Sequence, residues 1–135
     1  MNRRRILSVV FCVFTAAGLC LDAGAASSAP APLPVGLHRI HKIVVDAGHG
    51  GKDTGTVSAR GMKEKRVNLE VAQKVKERLE AAGLEVLMTR NADVFIPLSE
   101  RAAIANKNGA DLFISIHANA SSSRSLDGFE VYTLS

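Results

Sequence analysis

The sequence predicts an α/β fold, a largely parallel sheet with flanking helices in the order βαβαββ. Short β-branched or apolar runs recur at 42–46, 85–89 and 112–117, and a fourth follows at 129–134. Two stretches of helical character separate the first three, with glycine-bearing breaks between elements. Strands alternating with helices of these lengths imply parallel pairing through right-handed crossovers.

Each element has a local cause. Lys42-Ile43-Val44-Val45-Asp46 is a buried-strand run that ends at a glycine-rich loop, 48–55. From Val67, apolar residues return at Val71, Val75 and Leu79, with Ala72 and Ala82 beside them, so one amphipathic helix runs to its stop at Gly83. Its charges form a solvated face, on which Glu70 and Lys74 stand four residues apart. Ser99 is placed to cap a second helix that reaches Lys107 and stops at Asn108-Gly109. A serine-rich loop, 118–125, joins the third strand to the fourth.

The N-terminus reads differently. Arg3, Arg4 and Arg5 precede an apolar run at 6–21, and Ala23-Gly24-Ala25 offers small residues for cleavage, so 1–25 is expected to be a secretory signal peptide. The competing reading is an uncleaved anchor, because the run approaches the roughly 17 residues that span a bilayer. Cleavage after Ala25 leaves no stable membrane anchor and an extracytoplasmic protein, in the periplasm or cell wall. Residues 26–39, rich in Pro, Ala and Ser, form a linker.

Both cysteines, Cys12 and Cys20, lie in the segment expected to be removed. A metal site in the mature chain would then use His and carboxylate, without thiolates or disulfides. The chain has 135 residues and a net charge of +4, and losing 1–25 lowers that to about +2. Charge therefore gives nucleic-acid binding no support.

Sites in open α/β sheets form beyond the carboxyl ends of the strands. His49 follows the first strand, Glu64 precedes the helix after it, and His117 closes the third strand. Two imidazoles and one carboxylate with an open fourth position are a ligand set of hydrolytic zinc. Asp46 and Asn119, near the same edge, are candidates to orient the imidazoles. Taken singly, each ligand has a plainer reading: a hydrogen-bonded surface histidine, a core histidine, and a solvated charge between Lys63 and Lys65. The glycine-rich loop does not match a phosphate-binding loop or a dinucleotide fingerprint, because Asp53 stands where Ser, Thr or Gly is required. His38 and His41 straddle the linker and the strand start, and are expected to face solvent.

The residues from Val44 to Asp53, Gly61-Met62-Lys63-Glu64-Lys65 with Asn68-Leu69, Thr89-Arg90, the run from Leu98 to Asn106, and Ser115-Ile116-His117-Ala118-Asn119 resemble the zinc-dependent N-acetylmuramoyl-L-alanine amidases of the cell-wall hydrolase type. The resemblance covers 40–135. It implies Zn2+ held by His49, Glu64 and His117, and peptidoglycan as substrate, cut between N-acetylmuramic acid and L-alanine. A regulatory protein partner is left undefined.

The family's domain continues beyond the matched motifs, so 40–135 is expected to be the N-terminal portion of an incomplete catalytic domain. The general-base glutamate is expected beyond Ser135. Glu130 is the last carboxylate and falls on the fourth strand, before the family's catalytic position. The alternatives are a non-catalytic peptidoglycan-binding module and an inactive truncated fragment. A parallel sheet is normally covered on both faces, so a partial domain should be marginally stable. Residues 26–135 are expected to melt below about 60 °C; a cooperative calorimetric transition well above that would contradict a partly uncovered sheet.

Overall fold

A computed structural model describes residues 7–14, 40–119 and 128–133. Its elements are β1 (Leu7–Phe14), β2 (Lys42–Ala47), α1 (Glu64–Ala81), β3 (Glu85–Met88), α2 (Leu98–Lys107), β4 (Leu112–His117) and β5 (Gly128–Thr133). They build one five-stranded sheet in the order β3-β2-β4-β1-β5. All neighbouring strands are parallel except β1 and β5. This is the α/β architecture expected, with one additional strand.

β2 occupies the centre because its residues suit burial on both faces. Ile43, Val45 and Ala47 share a core with Ala72 of α1, Val86 of β3 and Leu112 and Ile116 of β4. Leu69, Val71, Val75 and Leu79 of α1 pack onto that core, which is the apolar stripe read from the sequence. On the opposite face Val44 and Phe113 meet Ala105 of α2 and Ala110. The two helices therefore cover opposite faces of β2 and β4, and neither packs on β1 or β5.

Three details depart from expectation. α1 begins at Glu64, ahead of its apolar periodicity, because tertiary bonds start it: Glu64 N donates to Thr56 O at 2.9 Å and Lys65 N to Thr54 O at 3.2 Å. These satisfy two of the amides that a helix start leaves without partners. α2 begins at Leu98 with Pro97 at the cap position and no side-chain cap bond, so Ser99 lies inside the helix. Pro97 is held at φ −57° and ψ 146°, an extended geometry that enters a helix without a capping hydroxyl. Finally, residues 7–14, read as part of a leader, form β1 between β4 and β5. The linker 26–39, the cleavage site and most of the serine-rich loop lie outside the described residues.

A buried polar network sits on the α2 face. Asp46 is 1% exposed; its Oδ1 accepts from Thr89 Oγ1 at 2.6 Å and Arg101 Nη1 at 2.8 Å, and its Oδ2 from Ser115 Oγ at 2.7 Å. One carboxylate thus joins β2, β4, α2 and the residue after β3. Removing one member of a buried ion pair leaves an uncompensated charge, costing about 3 to 5 kcal/mol. Asp46→Ala is therefore expected to lower unfolding stability by about that amount, read as a fall in the urea midpoint; an unchanged midpoint would show that the network contributes nothing net.

Candidate metal centre

Parallel pairing puts the carboxyl ends of β2 and β4 on one edge, with Ala47 opposite Ile116. The next residues out are Gly48 and His117, and Gly48 N donates to Ile116 O at 3.0 Å. A Cβ at position 48 would lie 2.3 Å from Cε1 of His117, so the glycine makes room for the imidazole.

His49 has φ +60°, and among the described residues it is the one non-glycine in the left-handed region. Such a conformation costs about 1 to 2 kcal/mol and persists only where the surroundings determine it. Here two buried guanidinium groups do so. Arg101 donates to Ala47 O through Nη1 and to His49 O through Nη2, both at 2.9 Å. Arg90 donates to Ala47 O at 2.8 Å and to Gly48 O at 2.9 Å. Three consecutive carbonyls are fixed, and the imidazole is aimed from them.

Beyond His49 the chain reverses through paired backbone bonds between Gly50 and Asp53, at 2.9 and 3.1 Å. The turn returns the Asp53 carboxylate to the ring, with Oδ2 2.8 Å from His49 Nδ1. That contact suits Nδ1 as the donor, the arrangement in which a neutral ring keeps its electron pair on Nε2. The histidine bond, first among its causes, holds the Asp53 carboxyl below its ordinary range.

Glu64, on the first turn of α1, is 4% exposed. Its Oε2 accepts from the Thr56 amide and hydroxyl, each at 3.0 Å. Its Oε1 lies 3.1 Å from His49 Nε2 and 3.2 Å from His117 Nδ1, and accepts from Ala118 N at 3.2 Å. Asn68 Nδ2 approaches the same oxygen at 3.4 Å and donates to Gly48 O at 3.2 Å. Burial alone would raise the Glu64 carboxyl; the Thr56 bonds, His49 and Asn68 outweigh it, and the group lies below its ordinary range. Gly55 makes this packing possible, since a Cβ there would sit 2.6 Å from His49 Cδ2 and 2.8 Å from Glu64 Oε2.

One donor atom from each of His49, Glu64 and His117 falls within 4.8 Å of the others. The rings meet edge to face with centroids 4.8 Å apart. Two imidazole nitrogens and a carboxylate oxygen so close together, one ring already backed by a carboxylate, fit a divalent cation of borderline softness.

Of the two residues expected to orient the imidazoles, Asp46 is bonded elsewhere. Asp46 spends both oxygens on Thr89, Ser115 and Arg101, because it points to the α2 face below the loop. Asn119 is exposed, two residues past His117. The carboxylate that supports His49 is Asp53, whose signal was its place four residues on, at the end of a glycine-rich tight turn. Thr56 and Asn68 had no signal beyond their proximity to Glu64 in sequence. His41 is exposed, as expected.

A family model of N-acetylmuramoyl-L-alanine amidases matches residues 43–135. The chain is 51% identical over 92 residues to N-acetylmuramoyl-L-alanine amidase AmiC of Neisseria meningitidis, covering 68% of this chain and 22% of that protein. It is 37% identical over 142 aligned positions to AmiA of Escherichia coli, covering 99% and 48%. Among solved structures it resembles the catalytic domain of the amidase CwlV from Paenibacillus polymyxa, at 43% identity and a TM-score of 0.60, covering 64% of this chain and 50% of that one. The chain spans less than half the length of these curated relatives. It belongs to the N-acetylmuramoyl-L-alanine amidase family.

Proposed function

We propose that this chain supplies the metal-binding part of a zinc-dependent peptidoglycan amidase that cleaves between N-acetylmuramic acid and L-alanine. The observation that carries the reading is the convergence of His49 Nε2, His117 Nδ1 and Glu64 Oε1 on one point, with Asp53 behind His49. When bound there, zinc would supply Lewis acidity toward a carbonyl and lower the pKa of water toward about 7.

The chain's own residues prepare that point. Asp53 fixes the His49 tautomer, the Arg90 and Arg101 bonds fix the loop, and Thr56 keeps one Glu64 oxygen occupied so that the other faces the histidines. The general-base glutamate is assigned by family resemblance to a position beyond Ser135. A general base typically contributes about 10² to 10⁴ in rate, so metal binding and turnover are separate properties with separate tests.

Export by the leader 1–25 accords with a wall substrate. Among the described residues no helix is long and apolar enough to cross a membrane.

Native mass spectrometry with one equivalent of zinc tests the site. One ion is expected on the wild-type chain and none on His49→Ala or His117→Ala, while Asp53→Ala should weaken binding about 10- to 100-fold. Zinc retained by both histidine variants would remove the assignment. Dye release from cell-wall sacculi then separates a hydrolase from a binding module, since binding without release is the module's signature.

The Glu64 shift has its own consequence for the chelated chain. A carboxyl that ionises more readily when folded stabilises the fold above its unfolded pKa, about 4.3, and loses that contribution as pH falls through the lower folded value. The gap in urea midpoint between wild type and Glu64→Gln should be constant from neutral pH to about 5 and close on further acidification. A gap that widens toward acid would reverse the assigned sign.

A further inference from the structure

Just before α1 the chain makes an excursion, residues 57–63, that the metal centre does not use. All of these residues are exposed, and none is a carboxylate. Two are cations, Arg60 and Lys63, and two are large apolar side chains left in water, Val57 at 54% and Met62 at 56% exposure. Cations beside exposed apolar residues have the composition of an element that lies in a membrane interface.

The excursion is a hydrogen-bonded hairpin. Val57 and Lys63 form an antiparallel bridge, and Ser58 N donates to Met62 O at 2.9 Å. Gly61 N closes the turn on Ser58 O at 2.9 Å, and Met62 N donates to Ser58 Oγ at 3.1 Å. Gly61 takes φ +78°, and a Cβ there would meet nothing within 4 Å. The turn therefore stands clear of the body of the protein, with Arg60 at its tip.

Behind the hairpin lies an open cavity of about 580 Å³ whose walls include Arg60, Met62, Lys63, Lys65 and Arg66. Its one carboxylate, Asp93, is occupied by Lys65 Nζ at 2.6 Å and by the Gly51 amide at 2.7 Å. Of the four cations, Lys65 and Arg66 have partners in Asp93 and Glu70, and among the described residues Arg60 and Lys63 have none. The unpaired positive charge thus sits on the same hairpin as the exposed Val57 and Met62.

We propose that this hairpin is a reversible docking element for a bilayer surface rich in anionic phospholipid. Arg60 and Lys63 meet headgroup phosphates at the hairpin and in the cavity behind it, while Val57 and Met62 enter the boundary between headgroups and acyl chains. The apolar pair is what favours lipid over a water-soluble polymer of phosphodiesters, for which cations alone would suffice. Two apolar side chains and two unpaired cations give weak peripheral adsorption, not insertion. No residue of the metal centre takes part, so the inference does not rest on the amidase reading.

The sequence contains no tryptophan, so Met62→Trp makes a single local reporter. The full chain carrying it is mixed, at about 0.15 M salt, with vesicles of phosphatidylglycerol and phosphatidylcholine in equal parts or of phosphatidylcholine alone. With the mixed vesicles its emission should move to the blue and be quenched by brominated acyl chains; with phosphatidylcholine alone neither should occur. Glu77→Trp, exposed and about 20 Å along α1 from Glu64, should show neither with either vesicle, which separates docking by the hairpin from adsorption through the N-terminal apolar run.

Adding Arg60→Glu and Lys63→Glu to the Met62→Trp chain should raise the lipid concentration for half-maximal shift at least about tenfold. Arg60→Gln with Lys63→Gln, which puts no new charge beside Glu64, should move it the same way by less, with the far-ultraviolet circular dichroism unchanged. A lipid dependence within about twofold of the parent in both charge variants overturns the proposal. Equal quenching of the two reporters does so as well. An emission change produced by soluble poly(glycerol phosphate), without quenching in the mixed vesicles, also overturns it and makes the occupant a phosphodiester polymer.

Discussion

Everything at the carboxyl edge of this sheet depends on two buried arginines holding the backbone from Ala47 to His49. Arg101 is tied below to Asp46, and above it fixes the carbonyls of Ala47 and His49. Arg90 reaches the Ala47 and Gly48 carbonyls from the end of β3, and also the Lys65 carbonyl in the first turn of α1. A left-handed histidine is unfavourable by itself. It persists here because a mesh of backbone acceptors and guanidinium donors leaves the loop no neighbouring conformation with equally satisfied groups. The cost of burying two cations is met by the Asp46 carboxylate on Arg101 and by carbonyl dipoles on both, so the network serves position as much as stability.

The same mesh explains why so much chemistry sits within a few residues. Lys65 faces the cation-lined cavity, Glu64 beside it faces the histidines, and Arg90 touches the backbone of both the cavity wall and the histidine loop. A displacement of α1 along its axis would move the carboxylate and the cations together. The carboxylate and the neighbouring cations thus share one helix start, which is itself set by the Thr54 and Thr56 carbonyls and not by a side-chain cap.

Much of this was legible from residue order. Period-two burial of Ile43, Val45 and Ala47 against Val44, and the stripe through Ala72, Val75 and Leu79, needed only the alternation of apolar residues. His49, Glu64 and His117 could be gathered because parallel strands end on one edge. What escaped depends on tertiary bonding that leaves no local trace. Asp46 and Asp53 are both near His49 in sequence, and only the face alternation of β2 and the reversal at Gly50–Asp53 decide which one reaches the ring. The start of α1 escaped for a similar reason, since Lys65 and Arg66 carry no apolar signal and the helix is begun by loop carbonyls.

Residues 7–14 present a different kind of conflict, in which two physical demands compete for one segment. An apolar run behind three arginines has the chemistry of an export leader. The outer edge of β4 has an unpaired row of amides and carbonyls, which the same run satisfies as a parallel neighbour, and β5 then pairs with it. Both cannot hold in one molecule after cleavage. If the leader is removed, β4 loses its neighbour on that side and β5, which is exposed along its whole length, loses its sheet partner. β1 therefore belongs to the uncleaved chain, and the sheet that supports the metal centre is the part from β3 to β4. That part contains both faces covered by helices, and His49, Glu64 and His117 all issue from it.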